Sequence, residues 1–145
     1  MIKGKPPRLG RIFVNSPRYF VTFCTLHRRA LLANDEVHEN FRRYCLSAYD
    51  HDVAVGRYVI MPNHIHLFVC GDLEFRLGVW VRGLKRAISL GRNAWQPGFF
   101  DHILRSDESY SRKWEYVKEN PVRANLVKRS DDWSFQGDIS LIDRA

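Results

Sequence analysis

The stretch YVIMPNHIHLFV, residues 58–69, places two histidines two positions apart in an otherwise apolar run. The Pro-Asn pair at 62–63 is a strong turn signal between two runs of β-forming residues, and it predicts an antiparallel hairpin. Alternate side chains of a strand point to the same face, about 6.6 Å apart along the backbone. His64 and His66 therefore share one face of the second strand, while Ile65 points to the other face.

The rest of the chain alternates between strand and helix patterns around this hairpin. Strands are predicted at 18–27, 53–61, 64–70 and 98–105, and helices at 35–49, 73–90 and 108–120. The apolar stripe of the second helix is predicted to consist of Leu73, Leu77, Trp80, Val81, Leu84 and Ile88. The order β-α-β-β-α-β-α predicts an α+β fold with a ferredoxin-like or RRM-like antiparallel sheet, its helices packed on one face and its other face open to a ligand.

The length and composition indicate one domain. At 145 residues the chain can bury its own core, and we expect a single domain at 1–145 with a basic arm at 1–17 and a loose tail at 130–145. No apolar run has the length of a membrane span, and the basic N-terminus does not resemble a signal peptide. The three cysteines have neither metal nor disulfide spacing. These features predict a cytoplasmic protein.

The net charge of +7 is concentrated in three clusters, at 3–11, 82–86 and 122–129. Such clusters favour a polyanionic partner, although ordinary solvated surfaces are the alternative. Basic side chains in these clusters and in the predicted strand 98–105 are candidates for contacts with nucleic acid: Lys3, Lys5, Arg8, Arg11, Arg82, Lys85, Arg86, His102, Arg105 and Arg123.

Two imidazoles on one strand face can hold one divalent cation, each through one ring nitrogen; the alternative is a pair of structural core histidines. On the predicted third helix, Tyr116 and Asn120 are four residues apart and share one face. Each has an alternative role, Tyr116 as a packing aromatic and Asn120 as the start of a short helix before Pro121.

Four blocks of the sequence resemble, in order, the REP-associated tyrosine transposases. They are YVIMPNHIHLFV, GLKR at 83–86, FFDHILRSDE at 99–108 and WEYVKENPVRANLV at 114–127. These transposases are relatives of the insertion-sequence single-strand transposases in the HUH nuclease superfamily, where U is a bulky hydrophobic residue. The resemblance runs from about Tyr19 to Val127 and so covers most of the chain.

The resemblance implies a role for each matched residue. His64 and His66 match the pair that holds the catalytic metal, Tyr116 matches the nucleophile, and Asn120 matches the polar residue that completes the metal site. It implies Mg²⁺ or Mn²⁺ as cofactor and single-stranded or hairpin DNA as partner. The expected activity is metal-dependent DNA cleavage and strand transfer through a 5′-phosphotyrosine, by a monomer or a homodimer.

Two other functions remain open. A non-catalytic RRM-like binder would stack bases on the central strands, where only Tyr58 and Phe68 are suitable aromatics. A small metal-dependent hydrolase for another substrate is disfavoured by the basic clusters and by the lack of paired carboxylates near the histidines.

Overall fold

A computed structural model describes residues 16–142, which form one sheet, four α-helices and four short 3-10 helices. In chain order the elements are β1 (Arg18–Cys24), α1 (Asp35–Ala48), β2 (Val53–Ile60), β3 (His64–Gly71), α2 (Leu77–Ile88), β4 (Phe100–Leu104), α3 (Asp107–Val117), the short α4 (Asn120–Arg123) and β5 (Gln136–Asp138). The predicted basic arm lies almost entirely outside the described residues, and Lys3, Lys5, Arg8 and Arg11 lie there with it.

The strand order is β4-β1-β3-β2-β5, and all neighbouring strands are antiparallel. The elements β1 to β4 with α1 and α2 form the β-α-β-β-α-β unit of a ferredoxin-like fold. The predicted α+β fold class is therefore confirmed. None of the helices among the described residues combines the length and apolarity needed to cross a membrane.

The central hairpin joins β2 to β3 through residues 61–63. Met61, the first residue of this connection, donates its N–H to the His64 carbonyl at 2.8 Å, which closes the turn. A bulge interrupts β2 between Val55 and Tyr58, and both side chains belong to the same core cluster because the extra residue resets the alternation. Gly56 lies in this bulge, where a Cβ atom would collide with the Tyr110 hydroxyl.

Helices α1 and α2 pack on one face of the sheet, as predicted. The Asn34 side chain caps α1 by accepting a hydrogen bond from the Val37 N–H at 2.9 Å. Buried side chains of these helices meet the inward residues of β1, β2 and β3: Val37, Phe41, Cys45, Ala48, Val81, Leu84 and Ile88 against Val21, Phe23, Val55, Ile60, Ile65 and Leu67.

The prediction that Leu73 belongs to the buried stripe of α2 is wrong. Asp72 instead forms a turn by accepting a hydrogen bond from the Glu74 N–H at 3.1 Å. The helix consequently begins only at Leu77, and the Leu73 side chain is 98% exposed.

Helix α3 packs on the opposite face of the sheet, so the prediction of helices on a single face holds only for α1 and α2. Trp114 and Val117 of α3 contact Phe68 and Val59. The reason lies in β3, where the run from Leu67 to Cys70 is buried at every position. A strand buried on both faces needs a cover on each side.

The C-terminal segment predicted to be a loose tail packs on the sheet in its described part, residues 130–142. Its strand β5 pairs with β2, and the Trp133 indole N–H donates to the Ile60 carbonyl at 3.0 Å. Ile142 is buried in the cluster that contains Phe68 and Tyr110. The segment therefore closes one side of the sheet.

Candidate active site

The two histidines lie side by side at the start of β3. Their ring centroids are 4.7 Å apart, with the ring planes nearly perpendicular at 80°. On the neighbouring strand β1, Cys24 is the register partner of His64 and Thr22 is the partner of His66. Ile65, between them, is fully buried in the core on the other face. The prediction from alternation, that both imidazoles share one face, is met.

Each imidazole has a hydrogen-bond partner at its Nδ1 atom. The Asn63 side-chain oxygen lies 2.7 Å from His64 Nδ1, and the Thr22 hydroxyl lies 2.7 Å from His66 Nδ1. An Nδ1–H that donates to these oxygens leaves the lone pair on Nε2 in both rings. Histidine ligands in metal sites commonly have this arrangement, because a partner at one nitrogen fixes the tautomer and the ring orientation.

Both imidazoles are strongly biased toward the neutral form. Burial, with a smaller effect from the Arg28 cation, lowers the pKa of His64 to about 4. Burial lowers the pKa of His66 to about 3, with further effects from the charges of His64, Lys113 and Arg123. Neutral imidazole is the form that binds a metal ion, so both side chains are available as ligands at neutral pH.

Helix α3 passes over the sheet face that carries the histidines. The Phe20 ring stacks on His66 with centroids 5.3 Å apart, and the Lys113 ammonium lies 5.1 Å from the centroid of the same Phe20 ring. One turn later, Val117 packs against Val59 and Met61. The last turn of α3, which bears Tyr116, is thereby anchored on the histidine face.

Arg123 contacts both the tyrosine and the asparagine. Its Cζ atom lies 3.9 Å from the centroid of the Tyr116 ring, and its Nη2 donates to the Tyr116 carbonyl at 2.8 Å. The same Nη2 donates to Asn120 Oδ1 at 2.5 Å, and the Arg123 charge lowers the pKa of His66. Tyr116 is 64% exposed, so much of its side chain is open to solvent.

Asn120 is the first residue of α4, with Glu119 in the capping position and no capping bond from a side chain. The short helix suggested by Asn-Pro is present, but the Asn120 amide is not used as its cap. The amide oxygen instead faces Arg123. Such an oxygen keeps a second lone pair for a cation.

The donor set fits a divalent cation only in part. Within residues 16–142, no cluster of three or more His, Cys, Asp or Glu side chains has the arrangement to hold a metal ion. The ligands that the chain offers are two neutral imidazoles and an amide oxygen, surrounded by the cations of Arg28, Lys113 and Arg123. This set suits an ion that also binds phosphate oxygens, because the cations attract the phosphate.

The likeness to known proteins agrees with this geometry. No protein-family model matches the chain. A REP-associated tyrosine transposase of Escherichia coli K12 is 26% identical over 131 residues, which cover 86% of this chain and 78% of that protein. The structure of a REP-associated tyrosine transposase bound to a REP hairpin has a TM-score of 0.71 and 23% identity, and the match covers 83% of this chain and 75% of that one. The resemblance to the REP-associated tyrosine transposases is confirmed.

Three of the predicted DNA contacts lie away from the sheet face that carries the histidines. Arg82, Lys85 and Arg86 belong to α2, which covers the opposite face of the sheet. The Lys85 ammonium donates to the carbonyls of Gln96 and Gly98 at 3.2 and 2.8 Å, so it holds a loop in place. Burial lowers the pKa of Lys85.

The other two predicted contacts lie on or beside β4. His102 is exposed and is the register partner of Phe20, which places it on the histidine face. Arg105 follows the strand and is exposed. The DNA contacts of these residues remain predictions from the charge pattern of the sequence, and the roles of Tyr116, His64, His66 and Asn120 remain predictions carried over from the REP-associated tyrosine transposases.

Two cations beside the histidines were missed by the sequence reasoning. Arg28 donates to the Cys24 sulfur at 3.2 Å and its charge reaches His64. Lys113 lies three residues before Tyr116, a spacing that puts both on neighbouring parts of the helix surface. That spacing is a signal from which Lys113 could have been found. The sequence contains no such signal for Arg28, because its position depends on a left-handed backbone at φ 57° after β1.

Proposed function

We propose that this chain is a transposase-like enzyme that cleaves and rejoins single-stranded DNA at or beside a hairpin, with Tyr116 as nucleophile. The observation that carries the proposal is the position of Arg123. This one side chain contacts Tyr116 and Asn120, and its charge lowers the pKa of His66, which supports a common site for the matched residues. The likeness to REP-associated tyrosine transposases, one of them bound to a REP hairpin, supports the choice of DNA as substrate.

The proposed cleavage is a transesterification. The Tyr116 phenol oxygen attacks phosphorus, the bond between phosphorus and the 3′ oxygen breaks, and a 5′-phosphotyrosine ester forms. The phenol proton passes to water, which is accessible at this exposed side chain, and the departing 3′ oxygen takes up a proton from water. The number of phosphoester bonds is unchanged, so another 3′-hydroxyl can attack the phosphotyrosine and rejoin the strand.

The residues around Tyr116 bind and orient the phosphodiester. We propose that Arg28, Lys113 and Arg123 attract its negative charge and stabilise the additional charge that develops in the transition state. His64, His66 and Asn120 would hold Mg²⁺ or Mn²⁺, which when bound supplies Lewis-acid polarisation of the phosphodiester. Thr22 and Asn63 keep the two imidazoles oriented.

The packing of the central strands argues against the RRM-like binding module. The two aromatics that could stack bases in that mode, Tyr58 and Phe68, are both fully buried. Phe68 packs against Tyr110 with centroids 4.3 Å apart, beneath α3. Tyr58 lies on the other face of the sheet and packs against Phe41 of α1 with centroids 4.6 Å apart, so neither ring is open to a base.

The test is cleavage of labelled single-stranded hairpin DNA, with and without Mn²⁺, by the wild-type chain and by the double variant His64→Ala/His66→Ala. We expect cleavage only with Mn²⁺ and only by the wild type. Binding of the same DNA should survive in the double variant, which shows that the variant is folded. Cleavage that persists in the double variant, or that needs no divalent ion, would contradict the assignment of the histidines.

A further inference from the structure

Phe100 is an exposed aromatic residue in line with the histidine pair. It is the first residue of β4, at the edge of the sheet, and its side chain is 69% exposed. In the strand register Phe100 is opposite Thr22, and Thr22 is opposite His66. Directly opposed residues of antiparallel strands point to the same face, so Phe100, Thr22 and His66 form one row on the histidine face.

Phe100 lies where β4 emerges from beneath α3. Leu104, at the other end of the strand on the same face, is buried in the cluster with Phe68 and Tyr110. His102 is exposed between them. Among the described residues no aromatic ring stacks on Phe100, so the ring presents a free surface beside the candidate active site.

The surroundings of Phe100 are held in place. A depression of about 240 Å³ lies beside the ring and is lined by Thr22, Cys24, Gln96, Pro97 and Gly98. The Lys85 ammonium of α2 donates hydrogen bonds to the carbonyls of Gln96 and Gly98, which fixes the loop that leads into β4. The depression is smaller than the roughly 300–1,000 Å³ typical of sites for drug-sized ligands, which suits one planar ring system.

Distance and charge indicate what the exposed Phe100 ring would bind. Neighbouring strands are about 4.8 Å apart, so Phe100 and His66 are separated by about 10 Å across two strand spacings. A strand with a stacked rise of about 3.4 Å per nucleotide covers that distance in about three steps, and an extended strand needs fewer. The Lys113 ammonium, 5.1 Å from the Phe20 ring that stacks on His66, would supply positive charge for the phosphates beside this row.

We propose that Phe100 is the stacking platform for one unpaired nucleobase that flanks the scissile phosphate, within about three nucleotides of it. This inference rests on the proposed function, because the base is located relative to the phosphate at Tyr116. Stacking on an aromatic face accepts any base, so Phe100 contributes affinity and position, and the sequence is read elsewhere.

The test measures affinity for labelled hairpin DNA with a single-stranded flank, in a Tyr116→Phe background that prevents cleavage. Phe100→Ala and Phe100→Tyr are compared with Ile103→Ala, a matched control on the same strand but on the opposite face. A set of DNAs carries one abasic nucleotide at each flank position in turn. We expect Phe100→Ala to bind intact DNA about ten-fold more weakly, whereas Phe100→Tyr and Ile103→Ala bind like the parent.

The abasic series gives the decisive result. At one flank position the missing base should weaken the parent about ten-fold and leave Phe100→Ala unaffected, because the stacking contact is already absent. Equal affinities of parent and Phe100→Ala on intact DNA would overturn the inference but not the proposed function. An equal weakening by Phe100→Ala on every DNA of the abasic series would also overturn the inference. So would a change in molecular mass showing that a second copy of the chain covers the edge strand β4. No DNA binding by the parent would overturn the proposed function itself.

Discussion

The Arg123 guanidinium stacks on the Tyr116 ring, with Cζ 3.9 Å from the ring centroid. The two residues lie on successive helices, and Arg123 also binds the Tyr116 carbonyl and the Asn120 amide. Three contacts from one side chain fix the turn between α3 and α4 and restrict the rotation of the phenol ring. We interpret Arg123 as the residue that positions Tyr116 for attack.

Arg123→Ala should therefore lower the rate of DNA cleavage far more than it lowers DNA affinity. Misplacing a nucleophile by about 1 Å can cost about 100-fold in rate, whereas one lost phosphate contact changes affinity modestly. Arg123→Lys should recover little of the rate, since a lysine cannot make the planar forked contacts. Single-turnover cleavage and filter binding measure the two effects separately.

The control for Arg123 is Arg112→Ala. Arg112 lies on the same helix as Tyr116 but is exposed and pairs with Glu108. The Arg112→Ala variant should cleave DNA at the rate of the wild type. An equal loss of rate in both variants would mean that cationic charge near the helix matters, and that the contact with Tyr116 does not.

Metal and DNA should bind cooperatively. The site offers two neutral imidazoles and an amide among three cations, so Mn²⁺ alone meets net repulsion. Bound phosphate reverses the local charge and adds oxygen ligands. We expect Mn²⁺ affinity, measured by electron paramagnetic resonance on Tyr116→Phe, to rise about ten-fold or more when hairpin DNA is added, a coupling of about 1.4 kcal/mol. Tight Mn²⁺ binding without DNA, unchanged on addition of DNA, would contradict this picture of the site.

His38 should make the fold less stable in mild acid. Burial, followed by the charge of Arg42, lowers the pKa of His38, and Asp35 opposes the shift in part. Its Nε2 lies 2.7 Å from the Tyr58 hydroxyl, to which Arg42 also donates, so neutral His38 accepts the Tyr58 proton. As the pH falls through about 6.5, the unfolded chain takes up a proton that the folded chain resists, and the free energy of unfolding decreases.

The measurement is urea unfolding of the wild type and of His38→Gln between pH 7.5 and 5. Glutamine keeps an acceptor for Tyr58 but does not titrate, so the variant should lose stability less steeply over this range. Parallel curves for the two proteins would show that His38 titrates equally in both states, contrary to the prediction.

The C-terminal segment should contribute to the stability of the whole sheet. Ile142 is 5% exposed and packs in the cluster with Phe68 and Tyr110. Ile142→Ala should lower the free energy of unfolding by about 2–4 kcal/mol. The neighbouring Leu141 is 54% exposed, and Leu141→Ala should change it by less than about 0.5 kcal/mol. Equal, small effects of Ile142→Ala and Leu141→Ala on urea unfolding would indicate that the segment contributes little to stability, as a loose tail would.

Local patterns predicted much of this fold. The Pro-Asn turn and strand alternation placed His64 and His66 on one face, and the helical spacing that begins after Asn34 placed α1 within a residue or two. Local patterns do not show which element each apolar surface packs against. Trp114 and Val117 mark α3 as amphipathic, but only the two-sided burial of β3 decides which face it covers.

The missed parts of the site and of the tail depend on long-range contacts. A left-handed turn after β1 directs Arg28 to Cys24, from where its charge lowers the pKa of His64, and no spacing in the sequence predicts this position. Residues 136–138 include a glycine and are poor in β-branched side chains. They form a strand because the free edge of β2 accepts them, so tertiary pairing overrides weak local preference.

The most direct test of the account is a covalent trap. The protein is incubated with labelled single-stranded hairpin DNA and Mn²⁺, denatured in detergent and resolved by gel, and the modified peptide is identified by mass spectrometry. The account predicts a protein–DNA band whose nucleotide mass lies on Tyr116, and its loss in Tyr116→Phe while DNA binding is kept. A DNA adduct that persists in Tyr116→Phe, or cleavage with no adduct at any time point, would contradict it.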